Sequence, residues 1–230
     1  MDCSFLVREG HSRLVLFFSG WGGEECLFSR YRPADADFLL CYDYRSLDFD
    51  FRLLEGYREI RLVAWSMGVW SAGIVLQDAC LPFSAKIALN GTLRPVDDAY
   101  GIPKAVFHGT LERFDAIVLA KFRRRMCGDA ANVKRFLSCG PLRQPGELRE
   151  ELAVLAREVA ARPIPSLAWT HALVGEGDKI FPPANQQAAW SVQPGTLCST
   201  FGEEHYSELF FRMAIEGWPE WKFGFRLSPA

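Results

Sequence analysis

Ser66 stands in "AWSMG", between the apolar run "RLVAW" and the small residues of "GVWSAG". A serine raised on a sharp turn from strand to helix is free to attack an acyl carbonyl, and small residues beside it let that turn close. The general pattern is G-x-S-x-G; here Ala64 takes the first position and Gly68 the last. An ordinary buried serine meets the same spacing, so further groups must be found. Acyl transfer needs a histidine to take the hydroxyl proton and a carboxylate to hold the imidazole and stabilise its cation.

Asp178 follows the apolar "ALVGEG" and His205 follows "CSTFGEE", which puts each in a loop after a late strand. Ser66, Asp178, His205 is the chain order of an α/β-hydrolase triad, with Asp115, Glu203 and Glu204 as rival acids. His11 is read in a hairpin turn, His108 in an insertion and His171 inside a strand, all poorer places for a base. Backbone N–H groups must also face the oxygen on which charge develops. The loop "SGWGG" follows the first long apolar run, and its glycines admit a substrate close to the backbone, so Trp21 and Met67 are assigned as the oxyanion donors. The bland alternative is a glycine turn that only ends a strand; "SGWGGE" does not fit the G-x-G-x-x-G of a dinucleotide loop. Gly20, Trp65 and Phe181 are assigned to substrate binding, with Trp21, Trp65 and Phe181 lining an apolar acyl channel.

These groups need a scaffold that brings distant loops together. "CSFLVRE", "LVLFFSG", "FLLCYDY", "IRLVAWS" and "SAKIALNGT" read as short strands, the later ones buried on both faces. "GVWSAGIVLQ" reads as a buried helix, while "EECLFSRYR" and "FDFRLLEGYRE" read as crossover helices or irregular connections. From Val96 to Pro165 no buried strand is evident, and Leu148, Leu152, Leu155 and Val159 fall on one helical face. The sheet resumes in "SLAWTHALVGEGD", followed by a helix at "ANQQAAW", a strand at "TLCSTFGEE" and a terminal helix from "SELFFRMAIEGW". The predicted architecture is an α/β-hydrolase-like fold, a mostly parallel central sheet flanked by helices with a helical lid insertion. Residues 1–95 and 166–230 form the core and 96–165 the lid.

The chain of 230 residues suits one such domain. With 26 Lys and Arg against 28 Asp and Glu, the net charge of -2 gives no global reason to expect nucleic acid or an acidic membrane as partner. The seven cysteines are scattered without a C-x-x-C pair, which predicts reduced structural thiols and neither a zinc site nor a dithiol motif. "MDCSFLVREGHSR" lacks a signal core, and no apolar run approaches the roughly 18 residues of a spanning helix. A cytoplasmic protein that needs no metal or organic cofactor is expected.

The strings "FFSGWGG", "AWSMGVWSAG", "NGTLRPVDDAYGIP", "KFRRRM" and "GDKIFPPANQQAAW" together resemble the BioG-type pimeloyl-[acyl-carrier protein] methyl ester esterases, an atypical branch of the α/β-hydrolases. The resemblance runs over nearly the whole chain. It implies a serine hydrolase that removes the methyl group masking the free carboxyl of pimelate on acyl-carrier protein, in biotin synthesis. By position it carries the nucleophile to Ser66, the histidine to His205 and the acid to Asp178. Ser19, where many relatives have histidine, and Ala64 depart from the wider hydrolase pattern.

It also gives a use for local charge. Between Lys121 and Arg143 lie Lys121, Arg123, Arg124, Arg125, Lys134, Arg135 and Arg143 against Asp129 alone. An acidic carrier protein is expected to dock on this basic part of the lid, at Arg123, Arg124 and Arg125; a solvated helix face is the alternative. Rival activities are a thioesterase or small-ester carboxylesterase of the same fold, or a non-catalytic module that binds acyl-carrier protein.

Overall fold

The computed structural model describes residues 1–217. Seven strands, β1 (Asp2–Val7), β2 (Arg13–Phe18), β3 (Asp37–Tyr42), β4 (Glu59–Trp65), β5 (Phe83–Leu89), β6 (His171–Gly175) and β7 (Leu197–Phe201), form one sheet in the order β1-β3-β2-β4-β5-β6-β7. Every pair is parallel except β1 against β3. The inner strands are near-continuous apolar runs because helices cover both faces of a parallel sheet, as in "LVLFF" of β2 and "LVAW" of β4.

His11 lies between β1 and β2, yet these strands form no hairpin, because β3 inserts between them. The reason is burial: β3 is apolar along nearly its whole length and needs a neighbour on each edge, whereas half-buried β1 tolerates the edge. The two early connections are mostly irregular. They hold only a short helix, α1 (Glu25–Phe28), and one 3-10 turn, Phe51–Leu54.

Helix α2 (Met67–Leu76) follows β4 at once and buries nearly all of its residues, which explains its uniformly apolar and small composition. Four helices intervene between β5 and β6: α3 (Lys104–Glu112), α4 (Ala116–Cys127), α5 (Ala130–Leu137) and α6 (Pro145–Ala161). Asp115 and Asp129 cap α4 and α5 by accepting the N–H groups of Val118 and Asn132, both at 2.7 Å. At the start of α6, Glu147 turns back to accept the Gln144 N–H at 2.8 Å, and Pro145 takes the first position. Its stripe of Leu148, Leu152 and Leu155 is buried, with Val159 partly so.

Helix α7 (Pro183–Ser191) joins β6 to β7, and α8 (Glu208–Arg212) runs into a π-helical turn, Met213–Gly217. The predicted terminal helix extends to Trp218, which with the rest of 218–230 lies outside the described residues. All seven cysteines are free thiols. Among the described residues, no helix is long and apolar enough to cross a membrane.

Register sets where the loops emerge. Phe18, last in β2, pairs with Ala64 of β4, and Trp65, last in β4, pairs with Leu89, last in β5. The segments beginning at Ser19, Ser66 and Asn90 therefore leave the same carboxyl edge, where parallel sheets carry their sites. Gly68 makes the join between β2 and α2 so tight that a Cβ there would stand 2.4 Å from the carbonyl oxygens of Phe18 and Ser19. Gly68→Ala is expected to cost about 1–3 kcal/mol in thermal or urea unfolding, by overpacking against rigid backbone. Gly109→Ala, on α3 with no atom near its would-be Cβ, is the matched control and should be neutral or slightly stabilising.

Candidate active site

Ser66 occupies the single residue between β4 and α2, with φ 59° and ψ -127°. A non-glycine residue there holds strain of about 1–3 kcal/mol, which the flanking elements must over-determine. They do: the Ser66 N–H donates to Leu89 O at 2.9 Å, and its carbonyl accepts the Val69 N–H at 3.1 Å. The side chain is left to reach His205, whose Nε2 is 3.0 Å from Ser66 Oγ.

On the other side of the ring, His205 Nδ1 is 2.8 Å from Asp178 Oδ2. Asp178 Oδ1 accepts the N–H groups of Ile180 and Phe181 at 2.8 and 2.9 Å, and Oδ2 also accepts Gln186 Nε2 at 2.9 Å. A carboxylate surrounded by donors is an acceptor only, so the network puts the neutral imidazole's proton on Nδ1 and leaves Nε2 to accept from the serine hydroxyl. All three side chains are buried. Such a line can pass a proton from Ser66 to His205 while Asp178 faces the resulting cation.

The loop carrying His205 is tied to the sheet by Asn90, which the sequence reading left unassigned, and by Trp65, which it assigned to substrate binding. Asn90, at φ 44°, donates through Nδ2 to Glu204 O at 2.8 Å and His205 O at 3.0 Å, while its Oδ1 accepts the Gly175 N–H at 2.7 Å. Trp65 Nε1 donates to His205 O at 2.9 Å. Gln186 bonds the Phe181 carbonyl as well as Asp178. Asn90 in "LNG" directly after a strand was a legible signal; Gln186 in "NQQ" had none that separates it from a solvated helix residue.

The rival acids are engaged elsewhere. Asp115 caps α4, Glu203 accepts the Ser207 hydroxyl at 2.7 Å, and the Glu204 carboxylate lies 3.9 Å from Lys179. Of the other histidines, His11 faces Glu9 at 3.4 Å, His108 is on α3, and His171 begins β6 with Nδ1 3.0 Å from Thr170 Oγ1.

A narrow cleft with room of about 30 Å³, partly open to solvent, lies beside Ser66 and Met67, walled by Trp21, Ile102, Phe107, Phe122, Leu152 and Ile180. Trp65 and Phe181, read as channel walls, instead stand against the His205 ring, with centroids 5.4 and 5.9 Å away and Phe181 nearly parallel to it. They fill the space behind the imidazole because both are fully packed in the core. Gly20 lies against Trp65, where a Cβ would come within 2.8 Å of the indole. Among the described residues, no protein acceptor takes the Trp21 or Met67 N–H.

The basic segment divides. Arg124 is exposed, Arg125 lines the Ser66 cleft together with Lys179, and half-buried Arg123 lies over the Phe136 ring at 5.7 Å. Arg143 leaves the expected free basic surface altogether, for it is buried between Asp43 and Glu151 at 3.2 and 2.9 Å.

A mostly parallel sheet flanked by helices, with a serine on a strand-to-helix turn, a histidine and an acid gathered at its carboxyl edge, is the architecture of an α/β-hydrolase. Residues 1–215 match the family described as "Pimeloyl-ACP methyl esterase BioG". The chain belongs to the BioG family. Its structure aligns with a crystal structure of BioG from Haemophilus influenzae at a TM-score of 0.85 and 40% identity, covering 92% of this chain and 97% of that one. A Bacteroides fragilis protein named "Malonyl-[acyl-carrier protein] O-methyltransferase" is 46% identical over 194 residues. That match takes 84% of this chain and 39% of the relative, so the chain spans about two fifths of the relative's length. An esterase from Exiguobacterium antarcticum shares the fold alone, with a TM-score of 0.67 at 14% identity over 88% of this chain and 87% of that one.

Replacing Asn90 tests how firmly the histidine loop is held. Asn90→Leu removes three hydrogen bonds and leaves the Gly175 N–H without its acceptor. The expected cost is about 2–4 kcal/mol in chemical unfolding, from a few bonds lost and one donor left unsatisfied. A change below about 0.5 kcal/mol would remove Asn90 from the framework, since that is the scale of an ordinary surface substitution.

Proposed function

We propose that this protein is a serine carboxylesterase that hydrolyses the methyl ester of a pimeloyl chain carried on acyl-carrier protein, yielding pimeloyl-acyl-carrier protein and methanol for biotin synthesis. The observation that carries the reading is the buried line of contacts from Asp178 through His205 to Ser66, opening on an apolar cleft in a chain of the BioG family.

In this reading Ser66 Oγ attacks the ester carbonyl while His205 Nε2 takes its proton. Negative charge gathers on the former carbonyl oxygen, and the N–H groups of Trp21 and Met67 receive it. His205 then gives its proton to the departing methoxide, which leaves as methanol, and a water activated by the same nitrogen releases the acyl chain from Ser66. Asp178 holds the imidazole throughout and faces its cation.

The cleft's apolar wall suits the methylene chain of a pimeloyl group. A carrier-bound methyl ester is supported by the family's description as a pimeloyl-ACP methyl esterase and by the name of the Bacteroides fragilis relative, a malonyl-[acyl-carrier protein] O-methyltransferase. Helices α3 to α6, within the segment 96–165 read as a lid, then form the carrier side of the site. In this reading Arg124, which is exposed, meets an acidic carrier, and Arg125, which lines the cleft, meets the arm as it enters.

The decisive experiment is the intact mass of methyl-pimeloyl-acyl-carrier protein before and after incubation with the wild type and with Ser66→Ala. Loss of the methyl increment alone, dependent on Ser66, is expected. Loss of the whole acyl group would mark a thioesterase, and an unchanged mass would sink the reaction and leave hydrolysis of small esters or carrier binding. Arg124→Glu is expected to raise the KM for carrier-bound substrate about tenfold, the scale of one well-placed charge. The KM for a small soluble ester should stay unchanged, whereas equal effects on both would remove Arg124 from docking.

A further inference from the structure

We infer that Glu151, a glutamate of helix α6 in the inserted segment, is a positioning residue that fixes the oxyanion loop Ser19–Gly23 through the N–H of Gly22; this rests on the esterase reading above. Glu151 is fully buried on the leucine stripe of α6, between Leu148 and Leu155. Its Oε2 accepts the Gly22 N–H at 3.2 Å, and its Oε1 accepts the Tyr44 N–H at 3.0 Å. One carboxylate therefore joins the loop that follows β2 to the loop that follows β3.

The neighbouring contact has the same sense. Trp21 Nε1 donates at 2.8 Å to the carbonyl of Leu148, three residues before Glu151 and thus on the same helix face. Trp21 and Gly22, consecutive in the loop, are held by Leu148 and Glu151. The rest of the loop is also anchored: Ser19 O accepts the Tyr44 hydroxyl at 2.6 Å, and Gly20 O accepts the Gly23 N–H at 2.9 Å. The peptide on one side of the Trp21 N–H is therefore fixed by the sheet side and the peptide on the other by α6.

Arg143 keeps the carboxylate in use. Its Nη1 is 2.9 Å from Glu151 Oε2, and its Nη2 is 3.2 Å from Asp43, which Arg45 also contacts. Burial pushes the Glu151 carboxyl above its ordinary range, and Arg143 and the Tyr44 N–H oppose that push. Stability alone does not account for the arrangement. Buried ion pairs are often replaced by apolar residues without loss, and a leucine would continue this stripe. What a leucine would not supply is an acceptor for the Gly22 and Tyr44 N–H groups.

The test is Glu151→Gln in the full chain, with p-nitrophenyl butyrate as substrate and active sites counted by a fluorophosphonate. The expected result is a 10- to 100-fold fall in kcat per counted site, below the full loss of an oxyanion donor. KM should stay within twofold and the pH profile unmoved, because Glu151 does not touch His205. Affinity for a trifluoromethyl ketone, whose adduct carries an oxyanion, should fall in parallel with kcat. A kcat per counted site within twofold of wild type, or a loss expressed only in KM, would overturn the inference. Should Glu151→Gln not fold, the double variant Glu151→Met with Arg143→Met removes both charges at similar volume, and the same two outcomes decide. A wild type that neither turns over the ester nor takes the label overturns the esterase reading, and the positioning role with it.

Discussion

A buried imidazole between a hydroxyl and a carboxylate is costly unless the polar groups that hold it are themselves bonded. In water these groups exchange partners freely; inside the protein an unsatisfied one costs about 1–3 kcal/mol. The His205 surroundings meet much of that demand with a short chain of amides, of which, among the described residues, Gln186 Oε1 alone is left without a partner. Asn90 closes the gap between the end of β5, the end of β6 and the His205 loop, and Gln186 closes the gap between α7 and Asp178. The aromatic rings of Trp65 and Phe181 pack against the imidazole itself. Register in the sheet, the strained φ of Ser66 and the glycine contact beneath α2 all serve to deliver side chains to this one dry spot.

The inserted helices enter the same accounting from the opposite side. A lid resting on apolar contacts alone would be free to slide, because such contacts are not directional. Here α6 reaches into the core with a carbonyl and a carboxylate, both aimed at backbone or indole N–H groups of the early loops. Directional bonds of this kind fix orientation as well as proximity. The segment between β5 and β6 is therefore part of the frame around Ser66: it lends the cleft Phe107, Phe122 and Leu152, the last on the helix those bonds hold.

Much of this was legible in the sequence. Strand-like apolar runs at "LVLFF", "FLLC" and "LVAW" gave the central sheet, and the leucine period of α6 gave the longest inserted helix. The turn at Ser66 was readable because strand, serine and small residues adjoin in the chain. Where the reading failed, the deciding contacts are distant in sequence. β3 between β1 and β2 depends on which strand tolerates an exposed edge, and Arg143 leaves the basic surface because Asp43 lies a hundred residues earlier. Trp65 and Phe181 were rightly placed beside the site residues, but adjacency in the chain does not say whether a ring faces a cleft or fills the space behind a histidine.

The residues the sequence reading missed share one property: each is polar in apolar surroundings. Asn90 follows a buried strand, Gln186 is fully buried on α7, and Glu151 interrupts the apolar stripe of α6. On periodicity alone such residues register as defects in an otherwise clean pattern, and a reading that scores apolar matches passes over them. Physically they are the costly positions, since burying an amide or a carboxylate is unfavourable unless it is fully bonded. A cheaper apolar residue was available at each, so the polar group must supply bonds that the fold cannot make otherwise. In a chain whose core is this apolar, breaks in the stripe carry more information about the site than the stripe itself.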